Sequence, residues 1–469
     1  MTQTVQLPLW LFVLILLFAA VTALSHLLLP SVRWFFRRRF EKAVARLNTR
    51  LKRPIQPFKL ARRYDMIQRL IYDPEVSREI AEYAVKNNVP ENVAFQKAQE
   101  YAREIVPSFS AFAYFSFAMR VAKVLAESIY RVRTAPQNDV VFGAIPEDAT
   151  AVFVMNHRSN MDYVLVTYLA SKTSTLSYAV GEWARVWPLS SLIRLWGAYF
   201  IRRRSRGGLY RKVLSRYVQM ATLGGDTQAF YPEGGLSLTG RLQPPKVGLL
   251  SYLVDGFDPD GPRDIVFVPV AINYDRVLED RVLMAAHARG DRRFGARVSV
   301  VVAFVFRKFW QRLRGHDTRF GTAAVAFGDP ISLRGLEPVD SINDLSIELM
   351  SRIEAVMPVL GVPLVATALQ NNGPLGVMEL EAQVAQLLKQ VPQNSIAVNE
   401  AELSGEVARA CRHMQQHGLI TQHDGDWSVN AGQEIAVRFY ANSIAHYLSK
   451  SDISSNAASA KEISATAGS

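Results

Sequence analysis

Residues 156–162 read NHRSNMD and follow the apolar run AVFVM, which places His157 five positions ahead of Asp162. An imidazole and a carboxylate are the pair that general-base chemistry uses. The carboxylate accepts one ring N–H and fixes the tautomer, and the other ring nitrogen takes a proton from a hydroxyl. In a chain with eight histidines the spacing alone is not diagnostic, so the setting has to decide. AVFVM has the β-branched and aromatic content of a strand, residues 156–159 form a polar turn, and Asn160 is expected to N-cap a helix that begins MDYVLVTYLA. His157 is thus expected just past a strand's carboxyl end, where open α/β sheets bind their ligands, with Asp162 in the first helical turn.

Two more strand-like runs deliver polar segments in the same way: AFY leads into PEGGLSLTGR (232–241), and DIVFV into PVAINYDRV (269–277). Gly234 and Gly235 can bring backbone amides to an anion or a developing oxyanion, or simply make a turn. Glu233 either orients an acceptor or caps that turn. In WGAYFIRRRSR, the arginines at 202, 203, 204 and 206 suit bidentate phosphate recognition, or else a solvated or lipid-facing surface. A hydrolytic metal site would need a second histidine or clustered acids, and a serine hydrolase a G-x-S-x-G elbow; neither pattern occurs. What is left is a base without a protein nucleophile.

The elements that must hold these residues fit within 469 residues, enough for about two or three domains. Short β-rich runs between about 148 and 330 (TAVFVM, TQAFY, DIVFVPVAI, ARVSVVVAFVF, TAAVAFGDPI) alternate with helical patterns and predict an α/β domain. Residues 64–133 read as helices broken at NNVPEN, and LITQHDGDWSV reads as a hairpin turning at 424–426. The expected organisation is an anchor at 1–32, a basic and then helical region at 33–135, the α/β domain at 136–340, a mostly helical region at 341–450 and a disordered tail at 451–469.

Residues 9–29 contain no Lys, Arg, Asp or Glu, a length that as a helix crosses a bilayer core of about 30 Å. A basic leader is missing, which disfavours a cleaved signal peptide, and arginines follow the run at once, which puts the remainder of the chain in the cytoplasm. The alternative is a helix hidden in a protein core. Between 33 and 63 stand twelve basic residues and one acid, so nearly all of the chain's formal +12 is local. With Trp34, Phe35, Phe36 and Phe40 interleaved, this reads as a membrane-surface segment. Nucleic-acid binding is the rival, without a recognisable module to support it. FRKFWQRLR (306–314) can receive an acidic carrier protein or coenzyme phosphates, or rest on lipid. The single cysteine, Cys411, excludes an internal disulfide and a cysteine metal site.

Taken together, HRSNMD, GAYFIRR, FYPEGGLSLTGR and FVPVAINYDRV resemble, in order and spacing, the four motifs of the glycerolipid acyltransferases, in particular the bacterial membrane-bound glycerol-3-phosphate acyltransferases. The resemblance runs from about 66 to 447. It implies an α/β core with a mixed, largely parallel sheet flanked by helices, at the cytoplasmic face of the inner membrane. It also implies acyl transfer from acyl-CoA or acyl carrier protein to the 1-hydroxyl of glycerol 3-phosphate, giving lysophosphatidic acid without metal or cofactor. By the same resemblance His157 is the base and Asp162 orients it, and Arg158, Arg202, Arg203, Glu233, Gly234, Gly235, Ser237, Arg241, Lys246 and Pro269 contact substrate. One departure stands out: the family's third motif usually reads E-G-G-R-S-R-T-G-R, and here Leu236 and Leu238 replace the inner arginines. Either Arg158, Arg202, Arg203, Arg241 or Lys246 takes the phosphate, or the acceptor is another molecule such as dihydroxyacetone phosphate or a lysophospholipid, or the protein is a non-catalytic membrane-surface member of the fold.

Overall fold

The computed structural model describes residues 8–18, short stretches between 38 and 53, and residues 54–448 without 62, 135–137, 171–174, 182–188, 203–206, 291–319 and 337–340. Met1–Ile55 and Gln56–Ser469 are separate compact units. In the first, residues 9–18 are helical, with Leu9, Trp10, Phe12 and Phe18 exposed. Among the described residues no helix is long and apolar enough to cross a membrane. The rest of the expected span, 19–29, lies outside them, as do the expected strand at 296–306, the basic cluster at 306–314 and the tail.

In the second unit the apolar runs assemble one sheet from β1 (Arg131–Thr134), β2 (Thr150–Met155), β3 (Ser177–Gly181), β4 (Tyr199–Ile201), β5 (Gln228–Phe230), β6 (Ile265–Tyr274), β7 (Thr322–Phe327) and β8 (Ile331–Ser332). Its order is β1-β7-β6-β2-β5-β3-β4, with β8 beside β6. The ladders joining β6, β2, β5, β3 and β4 are parallel, and β7 runs antiparallel to β6, so the sheet is mixed and largely parallel. Every residue of β2 and β6 is buried, as expected when both faces are covered, and this is why these strands read as unbroken apolar runs rather than alternating ones. β1, β3 and β4 were not expected. They are three to five residues long, and ladder partners rather than composition make them strands.

The helical region opens with Arg63–Ile71 and continues with Pro74–Asn87, capped by Asp73, whose carboxylate accepts the N–H groups of Glu75 and Val76. It stops at Asn88, in the left-handed region at φ 51°, and Glu91–Ile105 follows Pro90, so NNVPEN breaks the helices where expected. The hairpin expected near 424–426 pairs Ile420–His423 (β9) with Asp426–Val429 (β10) across Asp424 (φ 51°) and Gly425 (φ 95°), as a tight two-residue turn requires. One correction concerns the basic segment. Lys59 is buried, held by Asp226 at 3.0 Å and by the Thr175 carbonyl at 3.0 Å, and is unavailable to a membrane surface.

Candidate active site

Beyond β2, the Asn156 side chain mimics a strand residue: its amide donates to Ile272 O at 2.9 Å, and its carbonyl accepts from Ile272 N at 2.7 Å. This ties the turn that follows to β6. Within the turn, His157 Nδ1 lies 2.9 Å from Asp162 Oδ2. The same oxygen accepts the N–H groups of Arg158 at 2.8 Å and Ser159 at 3.0 Å, and Oδ1 accepts the Tyr274 hydroxyl at 2.6 Å. Four hydrogen bonds thus converge on one fully buried carboxylate. Burial, then the Asp162 charge, pushes the Tyr274 phenol well above its usual range, so it remains a donor. Because a carboxylate only accepts, Nδ1 carries the proton of the neutral ring and Nε2 is its basic nitrogen. The ring is 2% exposed, stacked on Tyr231 at 3.9 Å and met edge-on by Tyr163 at 5.7 Å.

Asn160 does not cap the helix Met161–Ala170. Its amide donates to Glu279 Oε1 at 3.0 Å, and Ser159 Oγ accepts Met161 N instead, at 3.1 Å. Glu279 also accepts Ser159 Oγ–H at 2.7 Å, and burial raises its carboxyl above the usual range. It lies outside every segment that stood out in the sequence, and no local signal marks it.

Glu233 staples two backbones, accepting the N–H of His157 at 2.7 Å and of Gln243 at 2.8 Å, so both its oxygens hold protein rather than acceptor. Burial pushes its carboxyl up to about 7. Gly234 has φ 67° and donates its N–H to Tyr231 O at 3.1 Å. The Gly235 amide finds no acceptor among the described residues, which makes it the glycine able to face an oxyanion. Ser237 is spent within its loop, donating to Arg241 O at 2.6 Å and accepting Gly240 N at 3.1 Å, and its own N–H donates to His157 O at 2.9 Å.

The expected phosphate ligands fare differently. Arg202 is clamped by Glu104 through two bonds, at 2.9 and 2.6 Å, which raise its pKa further. Arg158 is buried and donates to Gly240 O, and desolvation lowers its guanidinium to about 10. Arg241 Nε donates to Asn442 Oδ1 at 3.2 Å. Pro269 is buried within β6, paired with Val154, its carbonyl accepting Gly328 N at 2.8 Å, and it lines neither of the two cavities that border Tyr163. Arg203 lies outside the described residues. Leu236 and Leu238 pack, partly buried, on the hydrophobic core.

Two cavities meet at Tyr163. One, of about 180 Å³, is apolar and lined among others by Val121, Leu125, Val164, Ile193 and Trp196. The other, of about 280 Å³, is lined by Tyr231, Gly234, Lys246, Arg202, Arg211 and Tyr252 among others. Tyr231, Tyr163 and Tyr274, which shape the site around His157, escaped the sequence reading because aromatic residues in apolar runs look like core.

A family model described as Acyltransferase matches residues 140–273, and one described as the glycerol-3-phosphate acyltransferase C-terminal region matches 307–464. The chain thus carries one region similar to acyltransferases and another similar to the C-terminal part of glycerol-3-phosphate acyltransferases. Among curated relatives of that name, one from Pseudomonas putida is 30% identical over 59% of this chain and 32% of its own length. One from Colwellia psychrerythraea is 25% identical over 83% of this chain and 50% of its own. The chain thus spans half or less of the length of these relatives. A crystal structure of the 1-acyl-sn-glycerophosphate (LPA) acyltransferase PlsC from Thermotoga maritima aligns with 51% of this chain and 76% of its own, at 18% identity and a TM-score of 0.32.

Proposed function

We propose that this protein transfers a fatty acyl group from a thioester, acyl-CoA or acyl carrier protein, to the 1-hydroxyl of glycerol 3-phosphate. The observation that carries this reading is the position of Tyr163. Its ring edge touches His157, and it walls both an apolar cavity and a basic, polar one. A substrate pair made of one apolar chain and one small anion fits that division, with His157 packed against the tyrosine that parts the two cavities.

In this mechanism His157 Nε2 removes the hydroxyl proton, the alkoxide oxygen bonds to the thioester carbonyl carbon, and the resulting oxyanion faces the Gly235 amide. Collapse breaks the carbon–sulfur bond, and the leaving thiolate takes the proton back from the imidazolium. Asp162 holds the ring and offsets its transient charge. A positioned base contributes about 10² to 10⁴-fold, so juxtaposing both substrates must supply much of the rest. No cofactor enters these steps. The apolar residues 9–29 and the basic stretch after them support attachment to the cytoplasmic face of the inner membrane. Retention in the membrane fraction at alkaline pH and high salt is the expected outcome.

The deciding experiment incubates the purified protein with labelled long-chain acyl-CoA and, separately, glycerol 3-phosphate, dihydroxyacetone phosphate or a lysophospholipid. Labelled lysophosphatidic acid from glycerol 3-phosphate is expected, and acyl transfer to none of the three would remove the proposal. Leu236 and Leu238 favour a second reading, in which another of these acceptors is the better substrate.

A further inference from the structure

If glycerol 3-phosphate is the acceptor, its phosphate needs cations that the third motif does not supply here. Arg202 borders the polar cavity but is held by Glu104, and Arg158 and Arg241 are bonded elsewhere and do not line it. Two other cations do line it. Lys246 runs across Gly234, where a side-chain Cβ would come within 2.9 Å of its Cδ; the absence of that atom gives the lysine its path. Arg211 lies in the first turn of the helix Gly208–Leu223, exposed, and its guanidinium has no hydrogen bond or ion pair among the described residues. It sits close enough to Tyr252, on the same wall, for its charge to offset part of the upward push of burial on that phenol.

We propose that Arg211 and Lys246 hold the acceptor's phosphate in this cavity, in place of the two arginines for which the chain has Leu236 and Leu238. Arg211 is then the specificity-determining residue: it selects a phosphorylated acceptor, and the apolar cavity selects the donor chain. This inference rests on the acyl-transfer reading for its substrate, and its test separates the two.

Arg211→Ala and Arg211→Lys are compared with the wild type in steady-state kinetics, and in calorimetric binding of glycerol 3-phosphate without donor. A charge-assisted contact to a phosphate predicts a rise of about tenfold or more in the glycerol 3-phosphate KM of Arg211→Ala, with kcat changed less than about threefold. The acyl-CoA KM should stay within about twofold, Arg211→Lys should recover part of the loss, and the calorimetric affinity should fall by the same factor. An unchanged acceptor KM and affinity overturns the proposal, and so does an equal rise for both substrates. A wild type that binds glycerol 3-phosphate through Arg211 without acylating it upholds this inference and removes the acyl-transfer reading. A wild type that does neither removes both.

Discussion

The carboxylate of the turn at 156–162 and Arg202 at the end of β4 draw on the same interactions, yet one is wired mostly within its own turn and the other is not. In the turn, the donors to Asp162 come from positions three to five residues before it, and only Tyr274 comes from afar. Arg202, by contrast, finds Glu104 on a helix 98 positions away, and even inside the turn the long side chain of Arg158 reaches Gly240 O at a separation of 82. A short turn after a strand can satisfy a carboxylate with its own amides, so its geometry travels with its sequence. A guanidinium on a long side chain takes whatever acceptor packing brings near it, and a run of arginines therefore names a capacity rather than a use.

The first way to break this contrast is at its locally wired end. His157→Ala should lower kcat by at least about 10²-fold while the far-ultraviolet circular dichroism is retained; a variant that stays active would free the turn of its chemical role. Asp162→Asn keeps the shape but loses the charge, and turnover should fall by at least about tenfold with an unchanged acceptor KM. Tyr274→Phe removes the one distant bond to the carboxylate and should lower kcat several-fold, and a loss as large as that of Asp162→Asn would show that the turn is not self-sufficient.

At the other end, Arg202→Ala should leave the acceptor KM unchanged and instead lower stability by about 1–2 kcal/mol in denaturant unfolding, because buried Glu104 loses its partner at a partly exposed site. A raised KM with unchanged stability would reverse the assignment. A pH-dependent effect concerns Glu233. Its carboxyl stands at about 7 in the fold against about 4.3 when unfolded, so between these values the folded state binds the extra proton. Stability relative to Glu233→Gln should therefore fall as pH rises from 5 to 8, by on the order of 3 kcal/mol at most. A difference that grows with pH would mean that the two backbone donors outweigh burial.

Much of the sheet was readable because β2, β5, β6 and β7 are apolar runs of strand length, whereas β3 and β4 were hidden inside segments with helical spacing. The hairpin at Asp424 and Gly425 and the break at Asn88 were readable because left-handed backbone favours few residue types. Asn160 misled for a related reason. An asparagine caps by accepting a helix N–H on its side-chain oxygen, but here its side chain is turned so that the amide donates to Glu279, and the Ser159 hydroxyl accepts the Met161 N–H instead. The leucines of the third motif showed that two cations were missing but not what occupied their surroundings.

The sequence by itself determined the strand, the turn and the pairing of His157 with Asp162, since these follow from periodicity and from bonds within one helical turn. Only the tertiary structure decided which cations were already committed, that Glu233 serves two backbones, and that Tyr163 parts an oily cavity from a basic one. The physical reason is range: backbone preference acts over a few residues, whereas the fate of a charged side chain depends on which distant acceptor the packed core brings within 3 Å of it.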